Sequence, residues 1–359
     1  MRGLIWDGDD LSVADDLEVR RPAAGEVMVE VRAAGLCHSD LKPMDADIPQ
    51  ELPVVLGHEA TGMVSEAGPG VSLRPGDRVV LSVLQPCGKC RACERGQPTA
   101  CRGADGGLGT PFTRGGRPVQ QFVRLGAFAE RTVVRAEQAV PVPDDLPDAV
   151  AALLGCAVIT GFGAVTERAR VREGDKVLVI GAGGVGLNVV QAARLAGASL
   201  VAVMDTNPRK EAIARQLGAT DVEIIAGSEE IGPRARALAP DGFDAAFECV
   251  GRADLLESAV VALAWGGRAV IVGLPPAGAR MDLEIRALSR DQALLGCRMG
   301  GVDPHVVIPR LAGLYQSGDL VIDPLITKVV PLGEAARLVE DLRRGDLDRG
   351  VLTLTQEER

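Results

Sequence analysis

Residues 177–186 read Val-Leu-Val-Ile-Gly-Ala-Gly-Gly-Val-Gly, which puts Gly181, Gly183 and Gly186 in the spacing G-x-G-x-x-G directly behind a run of apolar β-formers. This stretch limits the fold more than any other, because the spacing has meaning only with a strand before it and a helix after it. The pattern supplies both. Residues 176–180 read as a short buried strand, 186–195 as a helix closed by Gly197, and 200–204 as a second buried strand. Strand, helix and strand in that order form a βαβ unit, the building block of a parallel sheet. Gly181 permits the tight turn, Gly183 lets backbone approach a pyrophosphate, and Gly186 lets helix meet strand. Gly184 and Val185 lie in the same turn, where the helix N-terminus offers unpaired N–H groups to phosphate. Asp205 ends the next strand. A carboxylate there accepts hydrogen bonds from an adenosine ribose and repels a 2′-phosphate, which favours NAD over NADP. Arg209 and Lys210 close behind temper that preference, since cations help to hold a phosphate.

The rest of the chain reads differently on either side of this unit. Residues 26–32 alternate apolar and polar after Gly25, and short strands follow at 59–64, 77–81 and 128–134, punctuated by Gly68-Pro69-Gly70 and Pro75-Gly76. This predicts a compact all-β unit. A Cys-rich loop spans 87–101, and a glycine-rich stretch at 103–117 reads as surface loop. From a helical pattern at 147–154 to about residue 298, apolar strands alternate with helices, with a further strand at 269–272. Helices and a closing strand at 350–354 follow. Aromatics are 3% of the 359 residues, so the core must be aliphatic. A net charge of −10, with basic residues scattered, excludes a nucleic-acid footprint. No stretch reads as long enough to span a membrane and the N-terminus carries no signal pattern, so the expectation is a cytoplasmic protein without a membrane partner. In that compartment eight cysteines read better as metal ligands than as disulfides.

Four of these cysteines, Cys87, Cys90, Cys93 and Cys101, fall within the one loop. Thiols two residues apart turn around one ion, and four thiolates fill a tetrahedron, so the expected ion is a structural zinc. The alternatives are a redox Cys-x-x-Cys pair or unrelated thiols.

The constellation as a whole resembles the zinc-dependent medium-chain alcohol dehydrogenases. The motifs that carry the resemblance are GLCHSD at 35–40, GHEATG at 57–62, CGKCRAC at 87–93, Gly155-Cys156 with Thr160-Gly161, GAGGVG at 181–186 and Asp205. It continues in Phe247-Glu248-Cys249-Val250-Gly251-Arg252, Val272-Gly273-Leu274-Pro275 and Asp323-Pro324-Leu325-Ile326-Thr327. The resemblance implies an α/β protein with a GroES-like β-rich catalytic domain, 1–157 with 299–359. A Rossmann domain of doubly wound parallel sheet, 158–298, is inserted in it, and the active site lies in the cleft between. It implies two zinc ions per chain and NAD.

Cys37, His58 and Cys156 would bind the catalytic zinc, and Glu59 would sit behind it as a transient ligand. Ser39 would hydrogen-bond the alcohol, and Asp40 would orient the His58 ring. His38 and Arg349 would lie near the pyrophosphate, Thr160 and Val185 near the nicotinamide, with Val272 and Lys210 among the cofactor contacts. Many family members carry a histidine that ends a proton relay where this chain has Lys42; the expectation is a solvated charge that relays only if its pKa is lowered, the alcohol proton otherwise leaving through water. Val83 stands where many carry a bulky aromatic, which suggests a roomier aliphatic pocket. Cys249 and Cys297 are expected as buried packing residues, and His305 as a surface position at a helix start.

The function implied is NAD-linked interconversion of a primary or secondary alcohol with its aldehyde or ketone, by a homodimer or homotetramer built through the nucleotide domain near 269–298. The rivals are a thiol-adduct-dependent formaldehyde dehydrogenase, a biosynthetic carbonyl or imine reductase on the same scaffold, and a non-catalytic zinc and nucleotide-binding protein.

Overall fold

The computed structural model describes residues 1–101 and 109–354. The part of the glycine-rich loop reading that falls on 103–108 lies outside the described residues. The chain forms two units. One comprises Met1–Cys156, Asp303–Gly318 and Ile322–Arg359, and the other Ala157–Val302 with Asp319–Val321.

The first unit is built around the strand Glu26–Leu36. Its sequence alternates, yet only Glu30 and Arg32 are exposed, because both faces of the strand are covered. Three strands pair with it antiparallel: Glu59–Ala67, Arg131–Arg135 and Arg349–Thr353. Gly35 stands opposite Glu59, and Leu36 opposite Gly350. One strand therefore ends where two others begin, and Cys37, His58 and Arg349 meet at that corner. Outward, Glu59–Ala67 carries Arg78–Leu81 and then Ala139–Pro141, while Arg349–Thr353 carries Ile326–Pro331 in parallel. A second sheet runs Leu11–Ala14, Gly3–Trp6, Val54–Val55, Arg117–Gln121, Phe112–Arg114, Leu17–Val19. The core holds Val27, Val29, Leu56, Val79, Leu81, Phe122 and Phe128. Each such side chain contributes roughly 1.5–3 kcal/mol by leaving water. All six phenylalanines of the chain are buried, so its few aromatics are concentrated in the interior.

Glu26, at the start of the central strand, is buried. Its carboxylate accepts Arg20 Nη1 at 2.6 Å, Arg20 Nη2 at 2.9 Å and the Ala23 amide at 2.8 Å. Burial pushes this carboxyl up, but Arg20 and the Ala23 amide outweigh it and hold Glu26 below the ordinary carboxylate value.

Among the described residues the second unit holds one six-stranded sheet. Its order is Asp221–Ile224, Leu200–Asp205, Lys176–Ile180, Phe243–Glu248, Leu263–Ile271, Ala293–Gly296, all parallel. This is the doubly wound order, with its switch point between Lys176–Ile180 and Phe243–Glu248. The helix of the first βαβ unit runs Gly184–Leu195, starting two residues earlier than the pattern suggests. The strand expected at 269–272 is longer and runs Leu263–Ile271. Within it the chain leaves the ladder at 264–267, where Gly266 turns at φ +73°, and it pairs again from Arg268 with a shift of register against Phe243–Glu248. Leu178, Ile180, Ala202, Met204, Phe243 and Ala246 form the core. Cys249 and Cys297 are half-exposed rather than buried. Each directly follows the last residue of a strand.

One helix corrects the expectation that no stretch is long enough to span a membrane. Asp148–Ala169 is 22 residues long with a mean hydropathy of 2.0, and 89% of its apolar window is buried inside the protein. Its charges, Asp148, Glu167 and Arg168, stand only at the ends, which leaves a long uncharged interior. Two π-helical turns interrupt it, Leu154–Val158 and Ala164–Ala169.

Candidate active site

Cys37 follows the central strand and caps the short helix His38–Leu41. Asp40, on that helix, bends back. One carboxylate oxygen accepts the Cys37 amide at 3.0 Å, and the other is 2.7 Å from His58 Nδ1. Asp40 is therefore a buried partner of the imidazole and not an exposed strand-end charge. The His58 ring also meets the edge of Phe122, with centroids 6.0 Å apart at 79°.

Cys156 comes from the first π-helical turn. Gly155 makes its approach possible, since a Cβ there would lie 2.3 Å from the Leu81 carbonyl oxygen. Cys156 Sγ is 3.3 Å from His58 Nε2. Ligand atoms of Cys37, His58, Glu59 and Cys156 all lie within 4.8 Å of one another. Glu59 is fully buried. Its Oε1 accepts Arg349 Nη1 at 3.2 Å, and its Oε2 has no partner.

The charges in this cluster hold one another. The hydrogen bond with Cys156 draws the Cys37 thiol well below its ordinary value, helped by Arg349 and His58 against burial. Cys156 is pushed well above, first by Cys37 and then by burial and Glu59. Burial works against a charged His58, but Asp40 and Cys37 outweigh it and hold the ring well above the ordinary histidine value. Burial pushes the Glu59 carboxyl up to about 7, with Arg349 pulling the other way.

The donor set suits a zinc ion. Zinc binds thiolate sulfur at about 2.3 Å and imidazole nitrogen at about 2.0–2.1 Å, so two such donors in a tetrahedron lie about 3.6 Å apart. The 3.3 Å between Cys156 and His58 is close to this. Glu59 adds a buried carboxylate beside these donors, its Oε1 3.8 Å from His58 Nε2 and its Oε2 without a partner. In the cysteine loop Cys90 Sγ lies 3.6 Å from Cys93 Sγ and 3.7 Å from Cys101 Sγ, and all four sulfurs, Cys87 included, lie within 4.8 Å. Thiolates about 2.3 Å from one ion would be about 3.8 Å apart. Among the described residues these are the two groups with metal-ligating geometry.

In the second unit, Gly181 adopts φ +93°, and a Cβ on Gly186 would lie 1.9 Å from the Gly181 carbonyl oxygen. Gly183 caps the helix Gly184–Leu195 without a side chain, and Val185 is half-buried in its first turn. Asp205 is already engaged with this turn: one oxygen accepts the Ala182 amide at 2.6 Å and the other the Asn207 amide at 2.8 Å. Lys210 heads the helix Lys210–Gln216. Thr160 is buried on Ile159–Gly163, and the Val272 amide donates to the Glu248 carbonyl at 2.9 Å.

In the first unit, His38 is exposed and Ser39 half-buried on the helix that carries Asp40. His305 is exposed at the start of Pro304–Gln316, its Nε2 2.9 Å from the Glu137 carbonyl. Lys42 differs from the expectation of a solvated charge: its Nζ lies 2.7 Å from Asp47 Oδ2, with both side chains more than two-thirds covered. The cause is local, because the Asp47 amide also returns to the Lys42 carbonyl at 3.0 Å and closes the loop on itself.

Residues 23–144 match the alcohol dehydrogenase GroES-like domain family, and residues 184–313 the zinc-binding dehydrogenase family. The NDMA-dependent alcohol dehydrogenase of Amycolatopsis methanolica is 37% identical over 94% of each chain. The S-(hydroxymethyl)glutathione dehydrogenase of Komagataella pastoris is 34% identical over 98% of this chain and 96% of its own. The crystal structure of benzyl alcohol dehydrogenase from Acinetobacter calcoaceticus superposes with a TM-score of 0.92 at 31% identity, covering 99% of both chains. The chain belongs to the zinc-dependent medium-chain alcohol dehydrogenase family.

As a member of the zinc-dependent medium-chain alcohol dehydrogenase family it is an oxidoreductase, and its two units are the GroES-like and Rossmann-type halves of that fold. Two features of its site carry no readable signal in sequence. Phe122 reaches the His58 ring across 64 positions of no recognisable motif. The pairing of Arg349 with Glu59 spans 290 residues and depends on the antiparallel register of three strands.

Proposed function

We propose that this chain is a zinc-dependent, NAD-linked alcohol dehydrogenase interconverting a primary or secondary alcohol with its aldehyde or ketone. The observation that carries the reading is the contrast between the two donor groups. Four thiols saturate one site, which leaves no room for a substrate. At the other, Cys37, His58 and Cys156 supply three donors, and the nearby Glu59 carboxylate is engaged by Arg349.

A zinc ion held by those three residues supplies Lewis acidity to the substrate oxygen. NAD held at the Gly181–Gly186 turn supplies the hydride acceptor. The chain's own groups do the rest. Asp40 fixes the His58 ring through Nδ1, which leaves Nε2 directed at the donor cluster. Ser39 accepts the alcohol proton. Lys42, engaged by Asp47, takes no part, and the proton goes on to water. Asp205 beside the glycine turn supports NAD over NADP, because its carboxylate repels a 2′-phosphate. The edge strand Ala293–Gly296, paired on one side only among the described residues, supports a homodimer or homotetramer built through this unit.

The test is metal content by mass spectrometry with NAD-linked alcohol oxidation on wild type, Cys37→Ala and Cys90→Ala. Two zincs per chain are expected, falling to one in Cys37→Ala with loss of activity. One zinc that Cys37→Ala leaves in place would overturn the reading. The likeness to S-(hydroxymethyl)glutathione dehydrogenase makes formaldehyde with and without a low-molecular-weight thiol the informative second assay. Turnover that requires the thiol would replace a free alcohol with a thiol adduct as substrate.

A further inference from the structure

Glu248 ends its strand opposite Ile180, the last residue before the glycine turn. The Cys249 amide still reaches the Ile180 carbonyl at 2.9 Å, at the switch point of the sheet. Ligands of open parallel sheets bind in the crevice at this point.

Glu248 is 1% exposed. A buried carboxylate is costly unless donors surround it, and here they are backbone amides. Oε1 accepts Val250 N at 2.8 Å, Gly251 N at 2.7 Å and Arg252 N at 3.4 Å. The Glu248 carbonyl oxygen accepts Val272 N at 2.9 Å and Gly273 N at 2.8 Å. One residue thereby holds both loops that leave the fourth and fifth strands of the sheet. The loops interlock, since a Cβ on Gly273 would lie 2.1 Å from Gly251 N.

What the clamp displays is Val250. It is 50% exposed, and a Cβ on Gly181 would lie 2.5 Å from its Cγ2, so it lies directly over the glycine turn. The same carboxylate stands at the N-terminal end of the helix Ala253–Val261 and offsets its positive pole. The N-terminus of Gly184–Leu195, capped only by Gly183, then faces the crevice without an opposing side-chain cap.

We propose that Glu248 is the positioning residue of the dinucleotide site: its carboxylate fixes the Val250–Gly251–Arg252 turn so that Val250 forms the wall closing over the glycine turn. This rests on the reading that the chain binds a nicotinamide dinucleotide.

The test is NADH binding by fluorescence, on zinc-loaded wild type, Glu248→Gln, Glu248→Ala and Val250→Ala, beside steady-state KM values for NAD and for alcohol. Glu248→Gln keeps the shape and loses the charge. The Kd for NADH is expected to rise several-fold in Glu248→Gln and Val250→Ala and on the order of tenfold in Glu248→Ala. KM for NAD should rise in parallel, with KM for alcohol and zinc content unmoved. If Glu248→Ala fails to fold, Glu248→Gln and Val250→Ala decide. Unchanged NADH affinity in both, with only a lower thermal midpoint, would overturn the inference and leave Glu248 a purely stabilising residue. A wild type that binds no NADH would instead overturn the dinucleotide reading itself.

Discussion

Asp40 uses both oxygens of one carboxylate, one on the Cys37 amide and one on His58 Nδ1. It ties two donors of the cluster together without touching a third. Partners of this kind typically matter 10–100-fold in metal affinity. Asp40→Ala should therefore release one zinc to a competing chelator at roughly 10–100-fold lower chelator strength, with the second zinc unaffected. Identical release curves would show that the ring needs no carboxylate to orient it. At this scale the sequence is informative where a motif packs chemistry locally. Cys37 with Asp40, and Gly57-His58-Glu59, are readable because three or four adjacent residues do the work. Lys42 and Asp47 are five positions apart and just as local, yet nothing in their spacing announces a closed loop.

The strand Glu26–Leu36 fixes the corner where the donors meet, and its first residue is held by Arg20. Arg20→Ala leaves a buried carboxylate with the Ala23 amide alone and should cost about 1–3 kcal/mol in denaturant unfolding at neutral pH. Glu26 titrates lower in the folded chain than in the unfolded one. Its contribution is therefore complete above the unfolded value, about pH 4.3, and is lost as pH falls through the folded value. Wild type and variant should converge in stability in acid. A gap that stays constant to low pH would mean that the arginine acts through packing.

Among elements, the strand–turn–helix of the glycine motif is legible because its three glycines each answer a local steric demand. The strand Leu263–Ile271 is read short because Gly266-Gly267 does interrupt it, with Gly266 at φ +73°, and the ladder with Phe243–Glu248 resumes only at Arg268. The π-helical turns of Asp148–Ala169 leave no mark in hydropathy at all.

For the molecule as a whole, the open edge at Ala293–Gly296 lies beside a strand carrying Trp265, 77% exposed, and follows a turn carrying Ile285, 80% exposed. Light scattering should give the mass of a dimer or tetramer. Trp265→Asp should shift that mass downward if this edge is the interface. A wild-type mass of one chain would remove the expectation. The resemblance points to the 269–298 region for such an interface, but the exposure of Trp265 and Ile285 beside it is not legible in sequence.

The π-helical turn Leu154–Val158 bears on how such a protein changes over generations. A π-turn is an α-helix holding one residue more than it needs. Deleting one residue between 154 and 156 would let the backbone relax to regular α-geometry and would turn Cys156 by about 100° relative to the helix behind it. The helix would keep its apolar lining and the cluster would lose a thiol. On this scaffold, loss of a metal ligand lies a single codon away.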